Sequence, residues 1–176
     1  MRKHPGVNGQ LPRRGAAVQV FYDKAQMEQR IASLDTAEAC ERFARNAGRL
    51  ERPDLAIEAR KRSIKLRVST HGSMSPVEAG CLEAVYAHEE VLAQRNGRRV
   101  QAFGAWRMIK QYGILATAER LVNRKSDVSE YHALAEIGLH EFAIEAVVLR
   151  FPDVFTNDAV SRSRDRIAAW THEGGR

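Results

Sequence analysis

Residues 75–97 read SPVEAGCLEAVYAHEEVLAQRNG, and this stretch decides the class of fold. Ser75 offers a capping hydroxyl. Pro76 stands at the first helical position, where no N–H partner is needed. Glu78 follows three residues after the serine and can return a hydrogen bond to it. Asn96-Gly97 is a stop signal. The spacing predicts one helix from Pro76 to about Arg95.

The same punctuation recurs outward in both directions. Upstream, Asp35 with Glu38 opens a helix of about 36–48, and Pro53-Asp54 opens another of about 53–70. A shorter one follows Asp23, at about 23–33. Downstream, helices are predicted at about 99–112 and 114–124, separated by Gly113. Others are predicted at about 128–137, stopped by Gly138, at 139–150, ended by Phe151-Pro152, and at 157–170. One strand-like run, Ala16 to Phe21, has no partner to complete its backbone hydrogen bonds. The expected fold is all-α: a compact bundle of about eight short helices with hairpin, repeat-like packing. Residues 1–22 are expected to form a flexible basic N-terminal arm and 23–172 a single helical domain.

On a helical wheel, 53–70 carries two apolar stripes. Ile57, Ile64 and Val68 form one, and Leu55, Ala59 and Leu66 form the other. A helix apolar on two sides is normally sandwiched between neighbours. Its bases Arg60, Lys61, Arg62, Lys65 and Arg67 are squeezed into the gaps, where long side chains can snorkel. The tetrad Ala56-Ile57-Glu58-Ala59 recurs as Ala143-Ile144-Glu145-Ala146, a faint echo of helical-hairpin repeats.

Of 176 residues, 28 are Lys or Arg and 22 are Asp or Glu, and the excess is unevenly placed. Residues 76–94 hold four acids and no Lys or Arg. Residues 95–125 hold eight bases against one acid. Residues 126–176 hold five bases against nine acids. A basic block between two acidic ones either faces a polyanion or is neutralised internally by folding.

Within that block, 102–125 reads as a possible helix–turn–helix. Ala102, Ala105, Trp106, Ile109 and Tyr112 share an apolar face, with Arg107, Lys110 and Gln111 turned away. After Gly113, Ile114, Ala118, Leu121 and Val122 form the buried stripe, with Thr117, Arg120, Asn123 and Arg124 opposite. Arginine can donate twice to guanine, and asparagine can pair with adenine. Arg95, Arg98, Arg99, Arg107, Lys110 and Lys125 would supply phosphate contacts. Two positions depart from the pattern of DNA-reading pairs: Ile109 where a small residue is expected, and Glu119 where an apolar one is. Trp106 and Tyr112 read as core residues.

Other constellations are weaker. His132, Glu136 and His140 have helical spacing, but Gly138 falls between the last two. Glu83, His88, Glu89 and Glu90 read as a solvated acidic face, one that could meet the basic block. No phosphate-binding glycine loop, nucleophile elbow or zinc-protease motif occurs. An enzyme therefore ranks third, and no cofactor or metal is expected. Cys40 and Cys81 are isolated and read as small buried hydrophobes. No 20-residue apolar run exists, so no membrane association is expected. With no apolar run behind Arg2 and Lys3, a cytoplasmic location is expected. The leading expectation is non-enzymatic binding of DNA or another polyanion through 102–125. The alternative is a helical protein–protein interaction module without nucleic-acid contact.

Overall fold

The computed structural model describes residues 24–124 and 128–173, and among these the chain is all-helical with no strand. The helices are α1 (Lys24–Ala32), α2 (Ala37–Arg49), α3 (Pro53–Ser69), α4 (Pro76–Asn96), α5 (Phe103–Tyr112), α6 (Ile114–Asn123), α7 (Val128–Glu136), α8 (Ile144–Arg150) and α9 (Asn157–Glu173). Two 3-10 turns, His140–Phe142 and Pro152–Val154, flank α8. The expected arm at 1–22 and its strand-like run lie outside the described residues.

The 75–97 signals act as their chemistry requires. Ser75 Oγ accepts the Glu78 N–H, and the Glu78 carboxylate accepts the Ser75 N–H at 2.9 Å, closing the capping box. The resulting helix, α4, is the spine of the molecule. α3 packs along it on one side, and α6, α7 and α8 on others. Its apolar residues point in nearly all directions because neighbours cover it in nearly all directions.

Three buried clusters follow from this arrangement. Ile31, Ala44, Ala47, Leu55, Ala56 and Ala59 join α1, α2 and α3. Ile64, Ala87, Val91, Leu134, Leu139 and Phe142 join α3 and α4 to α7 and the turn after it. Val77, Cys81, Ala118, Val122, Val147, Val148 and Ala159 join α4, α6, α8 and α9. α1, α2 and α4 all pack on α3, which buries Leu55, Ala59, Ile64 and Val68 and leaves Ile57 and Leu66 half-buried. Cys40 and Cys81 are buried free thiols, and burial pushes the Cys81 thiol up to about 12.

Several boundaries differ from the sequence reading. Thr36, one residue past Asp35, caps α2 and accepts the Ala39 N–H at 3.2 Å. The helix expected at 99–112 begins only at Phe103, because the Ala102 N–H is taken by the Glu89 carboxylate of α4. The helix expected at 139–150 is split. Gly138 turns the chain out of α7, and Ala143 adopts an extended conformation (φ −57°, ψ 142°) before α8. The two Ala-Ile-Glu-Ala tetrads consequently occupy unlike sites: one lies within α3, the other at the start of α8.

Gly138 has a positive φ of 71°, and a Cβ there would stand 2.4 Å from Ile57 Cδ1. Gly104, inside α5, has nothing within 4 Å of its Cβ position. Gly138→Ala should therefore destabilise the protein by about 1–3 kcal/mol. Gly104→Ala should stabilise it by up to about 1 kcal/mol through helix propensity. Chemical denaturation of the two variants beside the parent checks the opposite signs.

Candidate nucleic-acid interface

The α5–α6 unit is joined by a single residue. Gly113 ends one helix and begins the next with φ 83° and ψ 170°, a conformation that a side chain would strain. α6 is the anchored half. Ala118 and Val122 are buried, and Ile114 and Leu115 pack against the α4/α8/α9 cluster. α5 is the outer half and has no fully buried side chain.

What holds α5 in place is a carboxylate of α4. Glu89 Oε1 accepts the Ala102 N–H at 2.9 Å and the Trp106 Nε1–H at 2.7 Å. Trp106 in turn stacks on His71 (centroids 5.7 Å apart, planes within 10°) and tilts against Tyr86. The Tyr86 hydroxyl lies 2.6 Å from His71 Nε2. Glu89 is itself held by Arg67 of α3, 5% exposed, whose guanidinium bonds Glu41 of α2 and lies 3.6 Å from Glu89 and 3.4 Å from Glu90. The expected solvated acidic face is thus corrected. Glu89 and Glu90 are buried because a buried guanidinium offers them the partner that water would otherwise supply. Glu83 is half-buried, and His88 Nδ1 meets Glu130 Oε1 at 2.8 Å.

With those acids turned inward, the bases stay outside. Arg95, Arg98, Arg107 and Lys110 are exposed, and none of them has an ion-pair partner among the described residues. Arg99 meets Glu38 at 3.5 Å across exposed surface. Arg120 lays its guanidinium 3.9 Å from the centroid of the Tyr112 ring. Asn123 and Arg124 are exposed, and Lys125 lies outside the described residues.

Between α5 and α6 runs an open groove of about 640 Å³, lined by Arg107, Met108, Gln111, Tyr112, Ala116, Glu119, Arg120, Asn123 and Arg124. The block's single acid, Glu119, lines this groove and also accepts, at Oε1, the Thr156 N–H at 2.8 Å, at the start of α9. Glu119 therefore faces the positive end of a helix, which offsets its charge.

Two sequence expectations are corrected here. Thr117 is 1% exposed, and its hydroxyl donates to the Gly113 carbonyl at 2.7 Å; a hydroxyl bonded to its own preceding turn needs no solvent. Tyr112 is 40% exposed at the last position of α5, beside the Gly113 joint, where the Arg120 guanidinium faces its ring. Trp106 is half-buried, in keeping with its place on the apolar face.

The sequence reading missed two contributors. Arg162 and Arg166 of α9, four residues apart, donate to the carbonyls of Asn123 (3.5 Å) and Arg124, so two further guanidiniums cap the end of α6. Their i, i+4 spacing was the available signal, masked by the acidic balance of their segment. Phe103 is 72% exposed at the first position of α5.

Behind the same two helices lies a second space, a cavity of about 430 Å³. Its walls include Val85, Leu134, Phe142, Ile144 and Trp170, with His88, Glu130, Glu145 and Arg124 as polar members. Trp170 stacks on Tyr131 at 4.5 Å, and Glu145 binds Arg166 at 2.9 Å. Burial raises the Glu145 carboxyl above its ordinary range. His132 and Glu136 lie on α7 and His140 on the turn beyond Gly138. Among the described residues no three His, Cys, Asp or Glu side chains converge as metal ligands, and no helix is long and apolar enough to cross a membrane. Comparison of the chain with known protein families, curated proteins and solved structures finds no match.

Burial, then the neighbouring Glu41, keep the Glu90 carboxyl above its ordinary value of 4.5, against the pull of Arg67. Above 4.5 and up to the raised value, the folded protein binds more protons than the unfolded chain. This contribution to stability therefore falls as pH climbs through that window and is neutral below it. Glu90→Gln should gain stability relative to the parent as pH rises from 4 to 8, read from denaturation midpoints. Arg67→Met, which leaves buried carboxylates uncompensated, should lose about 3–5 kcal/mol near neutral pH.

Proposed function

We propose that the protein is a non-enzymatic nucleic-acid binder that uses the α5–α6 face, with DNA as the expected polyanion. The observation that carries this reading is a separation of charge. Exposed Arg107, Arg120 and Arg124 line an open groove whose one carboxylate, Glu119, also bonds the start of α9, while Glu89 and Glu90 are turned inward to Arg67 and the Trp106 indole. Unpaired bases of this kind release counterions when they meet phosphate, the dominant source of nucleic-acid affinity.

In this reading Arg95, Arg98, Arg107, Lys110 and Arg124 contact phosphates and fix the register. Arg120, Asn123 and Gln111, inside the groove, are placed to meet base edges. This reading takes up the helix–turn–helix expectation in altered form. The binding surface is the outer side of α5 together with the last turns of α6, since the first turn of α6 packs on the core. The interaction-module alternative drew on the two apolar faces of α3 and on the repeated Ala-Ile-Glu-Ala; in the folded chain α1, α2 and α4 pack on α3.

Titration of a fluorescein-labelled DNA by anisotropy tests the reading. The double variant Arg120→Ala, Arg124→Ala should bind about tenfold or more weakly, with the salt slope reduced by about one for each phosphate no longer neutralised. Helical circular dichroism should be unchanged, because both side chains are exposed. Arg45→Ala, an exposed base on α2, should bind as the parent does. Absence of binding by the parent protein at low salt would end the proposal.

A further inference from the structure

We infer that the strand accommodated by the α5–α6 face is single, with a base stacking on Phe103. This inference rests on the nucleic-acid reading of that face and narrows it to one class of ligand.

Phe103, Arg107 and Gln111 stand at i, i+4 and i+8 on α5, so they form one ridge about 12 Å long. Two of the three line the groove, and the third is an aromatic ring 72% open to solvent. Tyr112, nine residues from Phe103, stands on the opposite side of α5; it is 40% exposed, and the Arg120 guanidinium lies 3.9 Å from its ring centroid. An exposed aromatic in line with a groove-lining cation is the chemistry of a stacking platform along a phosphate backbone. Rings of this kind gain nothing from a duplex, whose bases are already stacked on one another.

The geometry of α6 points the same way. A helix that reads the major groove presents its first turn to base edges. Here that turn holds Ile114 and Leu115, packed against the core, and the buried Thr117; its one exposed residue, Ala116, carries no hydrogen-bonding side chain. The exposed chemistry of the unit lies along α5 and at the C-terminal end of α6, where a flexible strand can follow the groove.

The test uses the full chain and three labelled probes: a mixed-sequence DNA single strand, the same sequence in RNA, and the DNA duplex formed with its complement. Either single strand should bind about tenfold or more tightly than the duplex. Phe103→Ala and Phe103→Leu should each weaken single-strand binding by about tenfold, the loss expected of one stacked base, with the salt slope unchanged. Phe103→Tyr should restore it. Leucine keeps the apolar surface and removes the π face, so its failure separates stacking from greasy contact. Equal affinity for duplex and single strands, with Phe103→Ala binding as the parent does, overturns the inference while arginine-dependent binding upholds the broader reading. No binding to any probe overturns both.

Discussion

One guanidinium organises this protein. Arg67 reaches from α3 between Glu41 of α2 and Glu89 and Glu90 of α4. A single positive charge among three carboxylates does not make a strong case for net stability, because desolvating ions is costly. Its importance is geometric. It draws two acids of the central helix into the interior, and one of them, Glu89, fixes the first turn of α5 through the Ala102 amide and the Trp106 indole. The placement of the outermost helix thus traces back to a side chain two helices away.

That same interaction explains the electrostatics of the surface. Had Glu89 and Glu90 faced solvent, they would have stood beside the bases of 95–125 and screened them. Buried, they leave Arg95, Arg98, Arg107 and Lys110 without ionic partners among the described residues. Glu119 is bonded in a parallel way by the start of α9. Charge separation at the surface is in this sense a product of ion pairing underneath it.

The fold was largely legible in the sequence because helix ends are local chemistry. Ser75 and Glu78 lie three residues apart, and Gly113 and Gly138 announce themselves without reference to the rest of the chain. The two-sided wheel of α3 likewise foretold a sandwiched helix. The site was less legible because its logic is long-range. Arg67 meets Glu41 across 26 residues, and nothing local distinguishes it from Arg60 or Lys65. Thr117 was misplaced because a threonine can satisfy its hydroxyl on the preceding turn and vanish into the interior. Arg162 and Arg166 belong to a segment whose overall balance is acidic, so a running charge count hid them.

The hollow behind α5 and α6 gives the exposed face a mechanical character. Ala102, Gly104 and Ala105, at the start of α5, border this cavity, and the helix buries no side chain fully. α5 is therefore fastened at its first turn, by the Glu89 bonds to Ala102 and Trp106 and by the Trp106 ring stack. α6 is fastened along its length, by Ala118 and Val122 within and by two arginines of α9 at its end. One half of the pair is moored at a single point, the other keeled into the core.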